Sequence, residues 1–167
     1  MFSFPRKSFL LALMGLAIAC GSGEDKEGVP SSNSPLKDND EFLILEKSSD
    51  SKFTSESLQI FRDRESWSNH YNLHRGNSYN RVVAPTIDFN AEVLAAIHLG
   101  ARPNPGYSVN IITVSQDSTD NTIQIRYEEV IDTTTAWPTV ISYPYAFVRL
   151  HASYLEYRFI KTGTRRI

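Results

Sequence analysis

A strand that is apolar on both faces, followed within a few residues by a proline-glycine turn, constrains the fold of this chain more than any other feature. Residues Val93 to Leu99 place apolar side chains on both sides of the pleat, so they predict a strand buried on both faces. Pro105-Gly106 then suits the two central positions of a type II turn, which requires a positive φ at the glycine. The chain is therefore expected to reverse at Arg102 to Gly106 and to continue as a second strand from Tyr107.

Other apolar segments predict the rest of the domain. Asp63 is a candidate helix N-cap, Trp67 and Tyr71 share one helical face, and Gly76 is a plausible C-terminal stop. Further strands are predicted at Phe42–Glu46, Leu58–Phe61, Thr122–Tyr127, Thr139–Leu150 and Tyr154–Ile160. Pro144 cannot donate to a ladder, which predicts an edge position or a bulge for the strand that contains it. The pattern predicts an α+β domain, a mainly antiparallel sheet of six to seven strands with one short helix, and an all-β sandwich is the alternative.

The N-terminus predicts export. Arg6-Lys7 precede an apolar run from Phe9 to Ile18, and small residues surround Cys20, which is the order of a secretory signal peptide with a lipoprotein cleavage site. We expect a signal peptide over residues 1–19, an acylated Cys20, and a disordered tether over residues 20–41 that is too polar to bury a core. Residues 42–167 are then a single globular domain.

Charge and cysteine content exclude several classes of protein. From Phe42 onward the chain has thirteen acidic and thirteen basic residues, and no basic cluster exceeds Arg165-Arg166, so we expect no nucleic-acid partner. Cys20 is the only cysteine, so no disulfide framework is possible and packing must hold the fold.

The candidate catalytic and metal-binding residues do not form a recognisable motif. His70 and His74 are four residues apart on the predicted helix, a spacing that can bind a metal, but the sequence indicates no third ligand. His98 and His151 lie in predicted strands, where a packed or edge histidine is the ordinary interpretation. Glu128 and Glu129 point to opposite faces of a strand and cannot act as a pair. We therefore expect no catalytic residue, no metal and no cofactor, and a protein that is not an enzyme.

The segment from about residue 85 to 150 resembles the PrcB C-terminal domain family, named for an accessory lipoprotein of a bacterial surface protease complex. The resemblance rests on Asp88-Phe89, Glu92, Leu99-Gly100, Arg102-Pro103, Gly106-Tyr107-Ser108 and Tyr143-Pro144-Tyr145. One difference is that Pro105 occupies the position where the family usually has the first of two glycines. The resemblance implies an accessory or binding protein of the bacterial cell envelope.

Two loops predict a partner-binding surface. If the four strands from Glu92 to Leu150 pair in sequence, the turn at Arg102–Tyr107 and the loop at Asp132–Pro138 share one end of the sheet. That end would carry the predicted partner-binding residues Arg102, Pro103, Asn104, Pro105, Gly106, Tyr107 and Trp137. Aromatic and arginine side chains are frequent interface anchors, although Tyr107 and Trp137 could equally belong to the core.

These observations favour a lipid-anchored, exported accessory protein that docks on and stabilises an exported partner, for which a protease complex is a candidate. The membrane contact would be made through the lipid on Cys20, at the periplasmic face or the cell surface. The alternative is a protease inhibitor that presents the Arg102–Tyr107 loop to a cysteine or serine protease, because Asn104 to Tyr107 is similar to a loop of chagasin-like inhibitors.

Overall fold

The computed structural model describes residues 36–37, 40–76 and 83–167. The predicted signal peptide, Cys20 and most of the predicted tether lie outside the described residues. Within the described part of the chain, no helix is long and apolar enough to cross a membrane.

Seven strands and one short helix make up the described fold, and this confirms the predicted mainly antiparallel α+β class. The elements are, in chain order, β1 Leu43–Ser48, β2 Ser57–Phe61, α1 Arg64–Arg75, β3 Glu92–His98, β4 Tyr107–Asp117, β5 Thr122–Ile131, β6 Tyr145–His151 and β7 Glu156–Arg166.

The strands form two sheets rather than one. The first sheet has the order β1-β6-β3-β2 with antiparallel neighbours, and the second has the order β4-β5-β7, in which β5 and β7 are parallel. The strands from Glu92 to Leu150 were expected to pair in sequence: β4 and β5 do so, but β3 does not pair with β4 and β5 does not pair with β6. Both edges of β3 already carry a partner, so the segment after β3 crosses to the second sheet and closes no hairpin.

Strand β3 is buried along its whole length, which confirms the expected strand with two buried faces. On one face Val93, Ala95 and Ile97 pack with side chains of β4, β5, β6 and β7 between the two sheets. On the other face Leu94 and Ala96 pack beneath α1. The domain thus has three layers, α1, the four-stranded sheet and the three-stranded sheet, with a core on each side of the middle layer.

Strand β6 is a central strand, which corrects the prediction from Pro144 of an edge or bulged strand. The strand predicted from Thr139 begins only at Tyr145 and lies between β1 and β3. Pro144 immediately precedes it, where its missing N–H is not needed, and its carbonyl accepts from the Leu99 N–H at 2.9 Å.

Helix α1 begins and ends as its sequence predicts. The Asp63 side chain accepts from the Ser66 N–H at 2.8 Å, and Gly76 ends the helix with a φ of 82°. Trp67 and Tyr71 are buried against the sheet. The same helical face carries His70 and His74, which are also buried.

Leu36 contacts the domain, although the predicted tether includes it. Its side chain is buried, and its N–H donates to Glu92 Oε1 at 3.0 Å. Glu92 is itself held by a buried ion pair, in which Arg149 Nε and Nη2 donate to the two carboxylate oxygens at 2.7 and 2.6 Å. Leu36 therefore lies beside the N-terminal end of β3.

The two-sided burial of β3 predicts a large loss of stability when its side chains are shortened. Ile97 is fully buried between the sheets, so Ile97→Ala should lower the free energy of unfolding by about 2 to 5 kcal/mol, as the lost contacts and the cavity add. Denaturant unfolding followed by circular dichroism measures this. The control is Leu73→Ala on the exposed side of α1, where the side chain is 55 % exposed and the expected change is within about 0.5 kcal/mol. Equal losses in the two variants would contradict the two-core arrangement.

Candidate functional site

Two segments meet at the end of the domain where β3 finishes, and we call them together the loop end: residues 102–107 and residues 132–142. Arg102 and Ser142 exchange two backbone hydrogen bonds, of 2.8 and 2.9 Å. The Ser142 hydroxyl donates to the Asn104 carbonyl at 2.6 Å, and the Asp132 N–H donates to the Gly106 carbonyl at 2.9 Å. The structure thus brings the predicted turn and loop together through the antiparallel pairing of β4 with β5, and the Arg102–Ser142 bonds add a contact with the segment that enters β6.

Gly106 is required for a close approach and not for a positive φ. Its φ lies outside the left-handed region, so the expected type II turn is wrong. A Cβ at this position would lie 2.6 Å from Cδ1 and Nε1 of Trp137, closer than any side chain tolerates. The indole therefore packs directly on the glycine backbone, and the Gly106 N–H is held by Asn104 Oδ1 at 2.9 Å.

Gly100, unlike Gly106, has a backbone conformation that favours glycine. Its φ is +76°, and a Cβ would lie 2.8 Å from the Ser55 carbonyl carbon. The next residue, Ala101, donates its N–H to the Thr54 carbonyl at 3.0 Å. Gly100 thus turns the chain out of the first sheet and toward the loop end. The signal in the sequence is a glycine directly after the apolar strand that ends at Leu99.

Arg102 is engaged in an ion cluster within the domain. Its Nε donates to Glu129 Oε1 at 2.5 Å, and Lys161 Nζ donates to Glu129 Oε2 at 2.8 Å. Burial of Glu129 acts to raise the pKa of its carboxyl, but the hydrogen bonds from the two cations outweigh burial and hold that pKa below its usual value. The charge of Arg102 is therefore matched inside the molecule, at the point where the loop end joins β5 and β7.

Exposed apolar side chains continue outward from the indole. Trp137 is 38 % exposed, Val140 59 % and Ile141 63 %. With Pro138 they form what we call the apolar strip, and residues 133–141 are all exposed and include no charged residue. In the predicted turn, Pro103 is exposed, Gly106 is buried, and Arg102, Asn104, Pro105 and Tyr107 are half-buried. Val140 and Ile141 were missed because their segment reads as the start of a strand.

A second polar cluster lies beneath α1, far from solvent. Nε2 of His70 and of His98 are 3.0 Å apart, while Ser51 Oγ lies 3.1 Å from His98 Nδ1 and 3.0 Å from His74 Nδ1. Within the described ranges, no group of three or more potential ligands has the geometry to hold a metal ion. Ser51 is 1 % exposed, so a substrate cannot reach its hydroxyl beside the imidazoles. His151 is exposed at the end of β6.

The packing of Trp137 on Gly106 predicts a coupled pair of substitutions. Gly106→Ala should lower the free energy of unfolding by about 1 to 3 kcal/mol and change Trp137 fluorescence, because the new methyl group displaces the indole. In a Trp137→Ala background the same substitution should cost far less. A double-mutant cycle by denaturant unfolding measures this coupling. Additive effects would mean that the indole does not pack on Gly106.

The ion cluster predicts that Arg102 matters for the stability of the fold. Arg102→Ala leaves the buried Glu129 carboxylate with Lys161 as its remaining cation, so we expect a loss of about 1 to 3 kcal/mol in the free energy of unfolding. Arg126→Ala on the exposed side of β5 is the matched control and should change stability by less than about 0.5 kcal/mol. Thermal unfolding of both variants is the measurement, and equal melting temperatures would remove Arg102 from the structural cluster.

Comparison with known proteins bears on the segment from β3 to β6. Residues 93–151 match the family model described as PrcB C-terminal, which includes the loop end and both strands of the central pair, β3 and β6. No curated protein and no solved structure matches the chain. The match begins eight residues after the predicted limit at residue 85 and ends one residue after the predicted limit at residue 150. The match confirms the predicted resemblance to the PrcB C-terminal family over these residues.

Proposed function

We propose that this protein is a lipid-anchored accessory protein of the bacterial cell envelope, which docks on an exported partner through the loop end and stabilises it. A protease complex is the first candidate for the partner, because that is the role implied by the family resemblance. The anchor is the lipid on Cys20. No catalytic step, metal or cofactor is part of the proposal.

The observation that carries the proposal is the packing of Trp137 on Gly106, together with the exposed apolar strip that extends from Trp137. A monomeric protein seldom exposes a continuous apolar surface unless something binds there. The hydrogen bonds between Arg102 and Ser142 and between Gly106 and Asp132 hold the two segments together before binding. A surface that is already ordered loses little conformational entropy on association, which favours affinity.

The position of Leu36 supports this assignment of roles. Leu36 contacts Glu92 at the start of β3, whereas the loop end follows the other end of that strand. Seven residues of extended chain, roughly 20 Å, separate the two ends. A domain tethered through its N-terminal segment would therefore direct the apolar strip away from the lipid surface and toward a partner.

The geometry of the turn from Arg102 to Tyr107 does not favour the inhibitor alternative. Pro103 is the only exposed residue of the turn from Arg102 to Tyr107, and Trp137 covers Gly106. An inhibitory loop must project far enough to enter a protease cleft, whereas this turn is packed into the domain. Inhibition assays with a papain-like and a subtilisin-like protease separate the two functions, and strong inhibition that depends on residues 102–107 would favour the alternative.

The proposal predicts that shortening the apolar strip weakens partner capture without unfolding the domain. The full lipidated chain is cross-linked in its own envelope, and the cross-linked partner band is quantified. Trp137→Ala and Ile141→Ala should each reduce affinity by about thirtyfold, equivalent to about 2 kcal/mol, if these side chains are central anchors.

The matched control is Ile112→Ala, which shortens an isoleucine that is 46 % exposed on β4 outside the loop end and should leave capture unchanged. Cys20→Ser should move the protein from the detergent phase to the aqueous phase while the purified protein still binds the partner. Wild-type capture by both strip variants, at unchanged melting temperature, would place the partner surface elsewhere.

A further inference from the structure

Four buried side chains beneath α1 form one continuous line of hydrogen bonds, which we call the histidine chain: His70, His98, Ser51 and His74. The successive distances are 3.0, 3.1 and 3.0 Å. His74 and His98 are 0 % exposed, Ser51 1 % and His70 5 %. The histidine chain includes residues of α1, of β3 and of the segment between β1 and β2, so it connects the helix layer to the middle sheet.

The unpaired atom at one end of the histidine chain determines the direction of its hydrogen bonds. His74 Nε2 is buried and has no partner, and a buried N–H without an acceptor is more costly than an unused lone pair. His74 Nδ1 therefore carries the hydrogen and donates to Ser51 Oγ, which also accepts the Phe53 N–H at 3.1 Å. The Ser51 hydroxyl then donates to His98 Nδ1, and His98 Nε2 donates to His70 Nε2.

In this arrangement each imidazole is neutral. A proton added to His98 or His70 removes an acceptor that the hydrogen-bonded line uses, and a proton added to His74 creates a buried N–H with no acceptor. A proton on His98 Nδ1 opposes the Ser51 hydroxyl, and a proton on His70 Nε2 opposes the His98 N–H. The ring centroids of His98 are 5.1 Å from His70 and 5.5 Å from His74, so two charged rings would repel strongly. Burial lowers the pKa of His70 and His74 to about 4 and that of His98 to about 3.

The surrounding elements offer little to stabilise a charged ring. The walls are aromatic, with Phe53 stacked on His70 and His98 and with Tyr145 and Phe147 against His74. The titratable or charged groups on the adjoining elements include Arg75 and Tyr71 of α1, Glu46 of β1, Asp50 and Lys52 of the following segment, Tyr145 of β6, and the Glu92–Arg149 pair at the far end of the sheet. Arg75 pairs with Glu46 and with Asp50, so those carboxylates already have a cation.

Helix α1 can leave without disrupting the packing between the sheets. No residue of α1 belongs to the core between the two sheets, whereas Trp67 and Tyr71 belong to the core on the other face. Departure of α1 would expose Leu94, Ala96 and Phe147 of the middle sheet. We propose that the histidine chain is an acid-sensitive lock that holds α1 on the sheet. When its imidazoles take up protons, α1 is released and the apolar face of the middle sheet beneath it is exposed.

The direction of the pH dependence follows from linkage. Each histidine binds its proton more weakly in the closed form than in the open form, whose ordinary pKa is near 6.5. The closed form is therefore favoured fully above that value and loses stability as the pH falls below it. With three histidines the opening constant rises most steeply near pH 5, by at most about a thousandfold per pH unit, and less steeply toward pH 6 and pH 4.

The test uses the full-length protein in detergent micelles with a Trp137→Phe substitution, which leaves Trp67 on α1 as the only tryptophan of the sequence. Its emission is titrated from pH 8 to 4 beside far-ultraviolet circular dichroism of the strands. His70→Gln keeps an acceptor near Nε2, His74→Asn keeps a donor near Nδ1, and neither takes up a proton in this range. The exposed His151→Gln is the matched control.

We expect Trp67 to become exposed while the strand signal persists, with a midpoint at least half a pH unit lower in His70→Gln and His74→Asn and unchanged in His151→Gln. Simultaneous loss of both signals, or identical midpoints in all variants, would overturn the proposal. If a variant fails to fold, proton uptake by the wild-type chain decides the question: about three protons per opening support the lock, and one or none contradicts it.

Discussion

The pairing of β3 with β6 is the interaction on which the rest of the domain depends. Their seven-residue ladder runs through the middle of the first sheet, and nearly every side chain in it is buried. One face of the pair supports the second sheet and the other supports α1. Because both layers rest on these two strands, both cores require the pair to be in its observed register.

The same pairing decides where the loop end lies. With β2 and β6 on its two edges, β3 cannot accept β4, so the chain must turn at Gly100 and cross to the second sheet. That crossing places residues 102–107 against the segment that enters β6, and Trp137 comes to lie on Gly106. The family match covers this whole path from β3 to β6, which suggests that the central pair and the loop end form one structural unit.

Local features of the chain were predictable and long-range pairings were not. The two-sided apolar pattern of β3 and the capping residues of α1 depend on neighbours in sequence, and both predictions hold. The central position of β6, the parallel pairing of β5 with β7 and the burial of Leu36 depend on partners far along the chain. Gly106 was misassigned to a type II turn because a side chain is excluded there by the indole of Trp137, thirty-one residues away. Rules for turns consider only neighbouring residues and could not show this contact.

Amide hydrogen exchange under native conditions tests the central role of the β3–β6 pair most directly. Amides whose exchange requires global unfolding belong to the elements that open last. The pair predicts that the slowest amides lie within Leu94–Ile97 and Ala146–Val148, while the edge strands β4 and β7 exchange faster. Slowest exchange in β4 and β5, with β3 opening in a separate and easier event, would contradict the account.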